Sequence, residues 1–258
     1  FVIIKIINKI IFLINIFFSN ELFYIKCRSQ NENKENIFLN YLSNFIKNKN
    51  FIEVGFHHLE FNCVGLIKKD FKGLMIDGGR MSNILLLKLI VLIIKKDIKV
   101  LRKFIITENI IQLLSFKNIG CLSLDIDGND YWILKKIINE NIFPEVIIVE
   151  YNASFLDKSI TVPYDQSFDR KVKHISGFYH GASLLAFYNL LKIQNYHLVK
   201  SIGGSNAVFV NNHIIKKAKL KSFLPSEIYE ECFLRNKWSN TTAKQQFEII
   251  KNLKIENV

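Results

Sequence analysis

The sequence predicts an α/β fold, a mostly parallel sheet with helices on both faces and an antiparallel hairpin near its C-terminal end. Three observations predict it. Short apolar runs alternate with helix-length connections, three of those runs close on a glycine or an acid, and two later runs flank the turn Gly203-Gly204-Ser205. A strand covered on both faces meets no water on either, so it reads as a continuous apolar run rather than an alternating one.

The elements follow in order. Residues 1–18 are strongly apolar, with Lys5, Asn8, Lys9 and Asn15 at nearly helical spacing. That pattern predicts a helix lying in a membrane surface or against the body of the protein. A spanning helix needs a longer uninterrupted stretch, and a cleaved leader wants small residues near Ser19. The polar segment Ser29–Asn36 breaks the chain, and Ile37–Ile46 reads as a helix entering the main domain. Candidate strands are Phe51–Gly55, Gly73–Asp77, Lys103–Thr107, Gly120–Asp125 and Glu145–Tyr151. Ile84–Ile94, interrupted only by Lys88, is too short to cross a bilayer and reads as a buried crossover helix, with a membrane or dimer contact as the alternative. A long loop, Asn152–His180, and a helix, Ala182–Lys192, precede the hairpin Tyr196–Ser201 and Asn206–Val210. Three segments result: 1–36, an apolar helix and polar linker; 37–215, the Rossmann-like domain; and 216–258, a basic helical tail whose expected role is a solvated charged face.

Composition bounds the function classes. In a chain of 258 residues, 49% of them apolar, a sizeable core can form, which excludes disorder, collagen and a disulfide-stapled miniprotein. The formal charge of +12 suits a polyanionic neighbour, whether acidic lipid, acidic glycan, nucleotide or nucleic acid. Its sign does not choose among them, and an Asn-, Ile- and Lys-rich composition accounts for the excess equally well. No aromatic-basic interleaving of the kind that stacks single-stranded bases is present, so a nucleic-acid partner is not expected. Cys27, Cys63, Cys121 and Cys232 stand far apart with no C-x-x-C pair, which argues against structural zinc and fits a reducing, cytoplasmic compartment, peripheral to the inner membrane face if the apolar helix binds lipid.

Chemistry in an open α/β sheet sits beyond the carboxyl ends of its strands. Here those ends carry Glu53 and Gly55, Asp77, Thr107 and Glu108, Asp125 and Asp127, then Glu150, Tyr151 and Asn152. Asp77 closes the second run at the distance after Gly55 where a carboxylate can accept from both hydroxyls of a bound ribose; the alternative is a turn aspartate before Gly78-Gly79. Gly55 lets a ligand approach the backbone closely. The segment Leu124–Trp132, LDIDGNDYW, places three carboxylates behind an apolar strand. A calcium loop needs its glycine later. A haloacid-dehalogenase-type phosphatase, with Asp125 attacking phosphorus and Asp127 moving the proton, lacks here both the usual Thr at Asn129 and a later acidic pair for magnesium. Glu150 follows four apolar residues and finds its natural place in a cleft, or in an internal hydrogen bond that ties down the next loop.

With these residues in place, the chain resembles the FkbM-type group of class I S-adenosylmethionine-dependent methyltransferases over about Phe51–Asn211. The resemblance rests on LSLDIDGNDYW (Leu122–Trp132), VIIVEYNASF (Val146–Phe155), TVPYD (Thr161–Asp165) and YHGASLLAF (Tyr179–Phe187), and on five parallel-type strands followed by a terminal hairpin. It implies a seven-stranded Rossmann-like domain binding S-adenosyl-L-methionine and O-methylation of a glycan or small-molecule acceptor. Cofactor contacts fall on Glu53, Gly55, His57, Asp77, Thr107, Glu108 and Asp125. Asp127 is the first candidate for the base that removes the hydroxyl proton, with Asp130 and His180 behind it, while Glu150, Tyr151, Asn152 and Tyr164 line the acceptor pocket. No metal site is assigned, although Asp127, Asp130, Glu150 and Asn152 offer oxygen ligands. One departure stands out. Where the group carries E-x-G-x-G-x-G, this chain reads Glu53-Val54-Gly55-Phe56-His57-His58-Leu59 and keeps only the first glycine. A noncatalytic scaffold or glycan-binding module that retains the fold is therefore the rival expectation.

Overall fold

The computed structural model describes residues 2–29 and 31–258. Its strands are β1 (Asn50–Val54), β2 (Lys72–Asp77), β3 (Ile98–Arg102), β4 (Cys121–Leu124), β5 (Val146–Glu150), β6 (Ile160–Thr161), β7 (His197–Ile202), β8 (Asn206–Val210) and β9 (Glu256–Asn257). Seven form one sheet in the order β3-β2-β1-β4-β5-β8-β7, and β6 pairs with β9 in a separate two-stranded sheet. β1 and β2, β2 and β3, and β4 and β5 pair in parallel. β8 runs antiparallel to both β5 and β7. This is the predicted mostly parallel layout with a C-terminal hairpin. Every residue of β4, β5 and β8 is buried. Because successive strand residues point to opposite faces, both faces of these strands are covered.

One strand lies elsewhere than predicted. The third strand is Ile98–Arg102, not Lys103–Thr107. It stands at the sheet edge and buries only Val100, so its pattern is broken by exposed Lys99 and Arg102 and does not read as an apolar run. The more apolar Phe104–Ile106 belongs to the following loop, where Ile105 is buried and Phe104 is exposed.

The chain divides into two compact units, one of residues through Asn44 with Lys49–Phe104, the other of Phe45–Asn48 with Ile105–Val258. The first holds β1 to β3 and the helices Val2–Phe18, Lys34–Leu42 and Met81–Ile94. In the last of these, Ile84, Leu86, Leu87, Ile90, Val91 and Ile94 are buried, as expected of a crossover helix. The second unit holds β4 to β9. Its loop after β5 is not idle chain: Phe155, Val162, Phe168, Phe178 and Tyr179 form an apolar cluster with Ile250 of the C-terminal segment. That segment carries the helices Phe233–Ser239 and Ala243–Ile250, and it buries Arg235 and Gln246, which a purely solvated tail would expose.

All four cysteines are buried and stand outside any disulfide. Among the described residues, no helix is long and apolar enough to cross a membrane.

Candidate functional site

In the first unit the loop after β1 is built around Glu53. Its carboxylate is 1% exposed and accepts from Asn62 N at 3.1 Å and Cys63 N at 2.9 Å, closing the loop that follows. The structure thus gives Glu53 a loop-holding role. Gly55 adopts φ +84°, a conformation side chains avoid, and donates to Ile76 O at 2.9 Å. Asp77 ends β2 and accepts from Gly79 N at 2.6 Å and, more weakly, from Phe56 N at 3.4 Å. It remains partly exposed.

The positions that depart from glycine form a tight turn. His57 N donates to Glu60 O at 3.0 Å and Glu60 N returns to His57 O at 2.9 Å. Leu59 O accepts from Arg28 N at 3.0 Å. The His57 side chain is exposed, while His58 is buried, stacks obliquely on His57 and meets Asn83 Oδ1 at 3.0 Å. Burial first, and the neighbouring His57 second, push the His58 imidazole down to about 4, so it is neutral at physiological pH. The loop therefore follows its own path: His57 turns to solvent, and Gly55 and the partly exposed Asp77 carboxylate stand together at the ends of β1 and β2.

The second unit gathers the acids. Asp125, Asp127 and Glu150 each place a carboxylate oxygen within 4.8 Å of the others, an arrangement that could hold a divalent cation. The Glu150 Oε2 atom is buried and has no hydrogen-bond partner, which leaves it open to such an ion or to a donor on a ligand. Burial, with Asp127 adding to it, pushes the Glu150 carboxyl up to about 8. Asp127 is exposed, sits at φ +60° and pairs with Arg170 Nη1 at 2.6 Å.

Several predicted site residues are used by the fold itself. Asp130 is 1% exposed and accepts from Ile126 N at 2.8 Å and Gly128 N at 2.9 Å, so both oxygens clamp the loop before its helix. Burial raises its carboxyl to about 6. With no oxygen turned to a substrate, Asp130 is a poor base. Asn152 donates to Phe178 O at 2.7 Å and His180 O at 2.9 Å, and accepts from Ser154 N at 3.0 Å and Arg235 Nη1 at 2.8 Å. Tyr151 is 1% exposed, its hydroxyl spent on Ser201 Oγ at 2.8 Å and Glu230 O at 3.0 Å. Neither side chain lines a pocket, contrary to expectation, because both satisfy buried backbone and hydroxyl groups.

His180 is likewise not the expected base. It is 1% exposed, and burial together with Arg170 and Arg235 holds its imidazole well below the ordinary histidine range. Arg235 is the residue the sequence does not reveal. It arrives from helix Phe233–Ser239, is 3% exposed, and lies 3.9 Å from Glu150 Oε1.

Thr107 and Glu108, predicted at a strand end, lie beyond β3 and meet Tyr164 instead. Thr107 N donates to the Tyr164 hydroxyl at 3.1 Å, and that hydroxyl donates to Glu108 Oε2 at 2.8 Å, which lowers the Glu108 carboxyl. Tyr164 does line a cleft, one of about 700 Å³, with Pro163, Asp165, Phe168, Lys173 and Lys254.

No family model and no curated protein matches the chain. Solved structures to which it is similar include the O-methyltransferase from Bacillus cereus in complex with SAH (12% identity, TM-score 0.45, 69% of this chain and 80% of that chain). Another is the N-terminal domain of EvdMO1 in the presence of SAH and D-fucose (8%, 0.45, 69% and 82%). A third is a SAM-dependent methyltransferase from Aquifex aeolicus (12%, 0.37, 68% and 87%).

Proposed function

We propose that the chain is an S-adenosylmethionine-dependent methyltransferase acting on a hydroxyl of a glycan or small molecule. The observation that carries this reading is the sheet itself: an antiparallel β8 inserted between β5 and β7, with carboxylates at or just beyond the ends of β2, β4 and β5. Asp77 takes the ribose hydroxyls, and the absence of a side chain at Gly55 leaves the backbone approachable. A bound S-adenosylmethionine supplies an already activated methyl group. In that transfer the acceptor oxygen would take the methyl as its bond to sulfur breaks, sulfur keeping the electron pair, and this chain's part would be to align the acceptor and receive the hydroxyl proton at a carboxylate.

Asp127 is that base. It is exposed, it keeps an ordinary position outside the core, and Arg170 orients its carboxylate. Orientation is the larger contribution of the protein, since a sulfonium donor needs alignment more than activation. A divalent cation would be held by Asp125 and Glu150 beside Asp127, and would supply positive charge that lowers the cost of ionising an acceptor hydroxyl. The cleft at Tyr164 has Lys254 at its wall, while Lys173 is paired with Asp165 there, and it suits an acceptor that carries an acidic group for Lys254.

His57 and Leu59 in place of glycines favour the second reading, a chain that keeps the fold without methyl transfer. Calorimetric titration with S-adenosylmethionine and S-adenosylhomocysteine separates the two. Saturable binding is expected for the enzyme, and no heat from either compound at millimolar concentration assigns the chain to the noncatalytic class.

A further inference from the structure

Two helices of the first unit, Val2–Phe18 and Met81–Ile94, pack on one another and turn apolar faces outward. On the first, Ile4, Ile7, Ile11, Ile14 and Phe18 recur at alternating three- and four-residue steps, which places them on one side of the helix. All five are exposed, Phe18 to 81%. Among its described side chains the same helix buries Ile16, with Phe12 and Leu13 half-buried. On the second, Met81, Leu85 and Leu92 follow the same kind of spacing and are exposed, Leu92 to 74%. Lys88 sits within that row and is exposed as well. Two adjacent helices thus present a contiguous aliphatic and aromatic surface of the kind that marks an interaction site.

Charge decides what covers it. Neither helix contains an acidic residue; Lys88 stands in the outward row of the second helix and is exposed, whereas Lys9 of the first lies on the side away from Ile7 and Ile11. A second copy meeting this face about a two-fold axis brings Lys88 toward Lys88, with no carboxylate on either helix to answer it. A bilayer with anionic headgroups answers both features: acyl chains take the isoleucine, leucine and phenylalanine side chains, and lysine stems reach back to the headgroups. Over its described residues neither helix is long and apolar enough to cross a bilayer, and the exposed rows run along the helix sides.

We infer that the paired outer faces of Val2–Phe18 and Met81–Ile94 dock the protein flat on an anionic lipid surface. The inference stands whether or not the chain transfers methyl groups.

Cosedimentation of the full chain with phosphatidylcholine vesicles, with and without phosphatidylserine, tests it. The protein pellets with the mixed vesicles and more weakly with the neutral ones. Ile14→Glu and Leu92→Glu each lower the bound fraction about tenfold or more, because each buries a charge in the acyl region. Lys88→Gln lowers affinity for the anionic vesicles about fivefold, the worth of one lysine near such a surface, and leaves the neutral ones unchanged. These positions are exposed, so unchanged circular dichroism and melting show that the variants fold. Wild-type protein that stays in the supernatant of both vesicle types overturns the inference, as does equal pelleting of wild type and both glutamate variants. A dimer in light scattering that Ile14→Glu dissociates, without vesicle binding, overturns it too and assigns the face to a second copy.

Discussion

Arg235 Nη2 lies 3.1 Å from His180 Nε2, and an arginine can only donate. The imidazole must therefore accept at Nε2 and carry its proton on Nδ1, which lies 3.2 Å from Phe178 O. Nitrogen-detected NMR is expected to show the Nδ1–H tautomer, with no titration until well below pH 6.5. Arg235→Met removes the donor shared by His180, Asn152 and Ser154, and leaves their acceptors buried without it. A loss of about 3–5 kcal/mol in urea unfolding is expected. A change within about 0.5 kcal/mol, the range of an ordinary surface substitution, refutes the assignment.

That arginine also marks where the sequence stops being informative. Strands β1, β2, β4 and β5 were legible because strands covered on both faces admit little but apolar residues, and Asp77, Asp125 and Glu150 were legible as the acids that break or follow those runs. β3 was not, since an edge strand with one buried residue has no such run. The roles of Tyr151, Asn152 and His180 were hidden for another reason. Their partners are 50 and 79 residues away for Tyr151, 83 for Asn152 and 55 for His180, and no local spacing reports a contact of that kind. Arg235 sits in a segment, FLRNKW, whose charge looks like any other on a basic tail.

Asp77 offers the most direct test of nucleoside binding. Two hydrogen bonds from ribose hydroxyls to a carboxylate are worth about 1.5–3 kcal/mol each, so Asp77→Ala is expected to weaken S-adenosylhomocysteine binding by two orders of magnitude or more. Asp77→Asn keeps acceptor capacity on one oxygen and falls between. Asp77→Ala also loses the hydrogen bonds from Gly79 N and Phe56 N and melts somewhat lower, so circular dichroism unchanged at the assay temperature shows that the variant is folded. Wild-type affinity in Asp77→Ala means the carboxylate serves only its own turn with Gly79.

Glu150 makes stability depend on pH in a definite direction. Its folded carboxyl is raised from 4.5 to about 8, so the folded state binds the proton more tightly than the unfolded chain. The stabilisation is fully present below about pH 4.5 and is lost as pH rises through about 8, at up to about 1.4 kcal/mol per pH unit. In chelator-treated protein, Glu150→Gln should therefore gain on the wild type between pH 5 and pH 8. Manganese favours the ionised carboxylate; at pH 8 and about 100 times its dissociation constant it stabilises the wild type by roughly 2.7 kcal/mol. Asp125→Asn and Glu150→Gln should lose that increment. A manganese response that survives both substitutions places the ion elsewhere.

Gly128 and Phe168 are matched in space. A Cβ on Gly128 would run into the Phe168 ring, and that ring belongs to the apolar cluster holding the loop after β5. Gly128→Ala must therefore push Phe168 aside, at a cost of about 1–3 kcal/mol. Two residues farther along that loop is Arg170, the partner of Asp127, so the displaced loop should also loosen the orientation of the proposed base. In a Phe168→Ala background the added methyl has room, and its penalty should shrink to about 0.5 kcal/mol or less, giving a coupling of about 1–2 kcal/mol in a double-mutant cycle. Methyl transfer, if present, should fall in kcat more than in nucleoside affinity for Gly128→Ala, since Asp77 stands outside this loop. Additive penalties in the two backgrounds would mean that the ring does not confine Gly128.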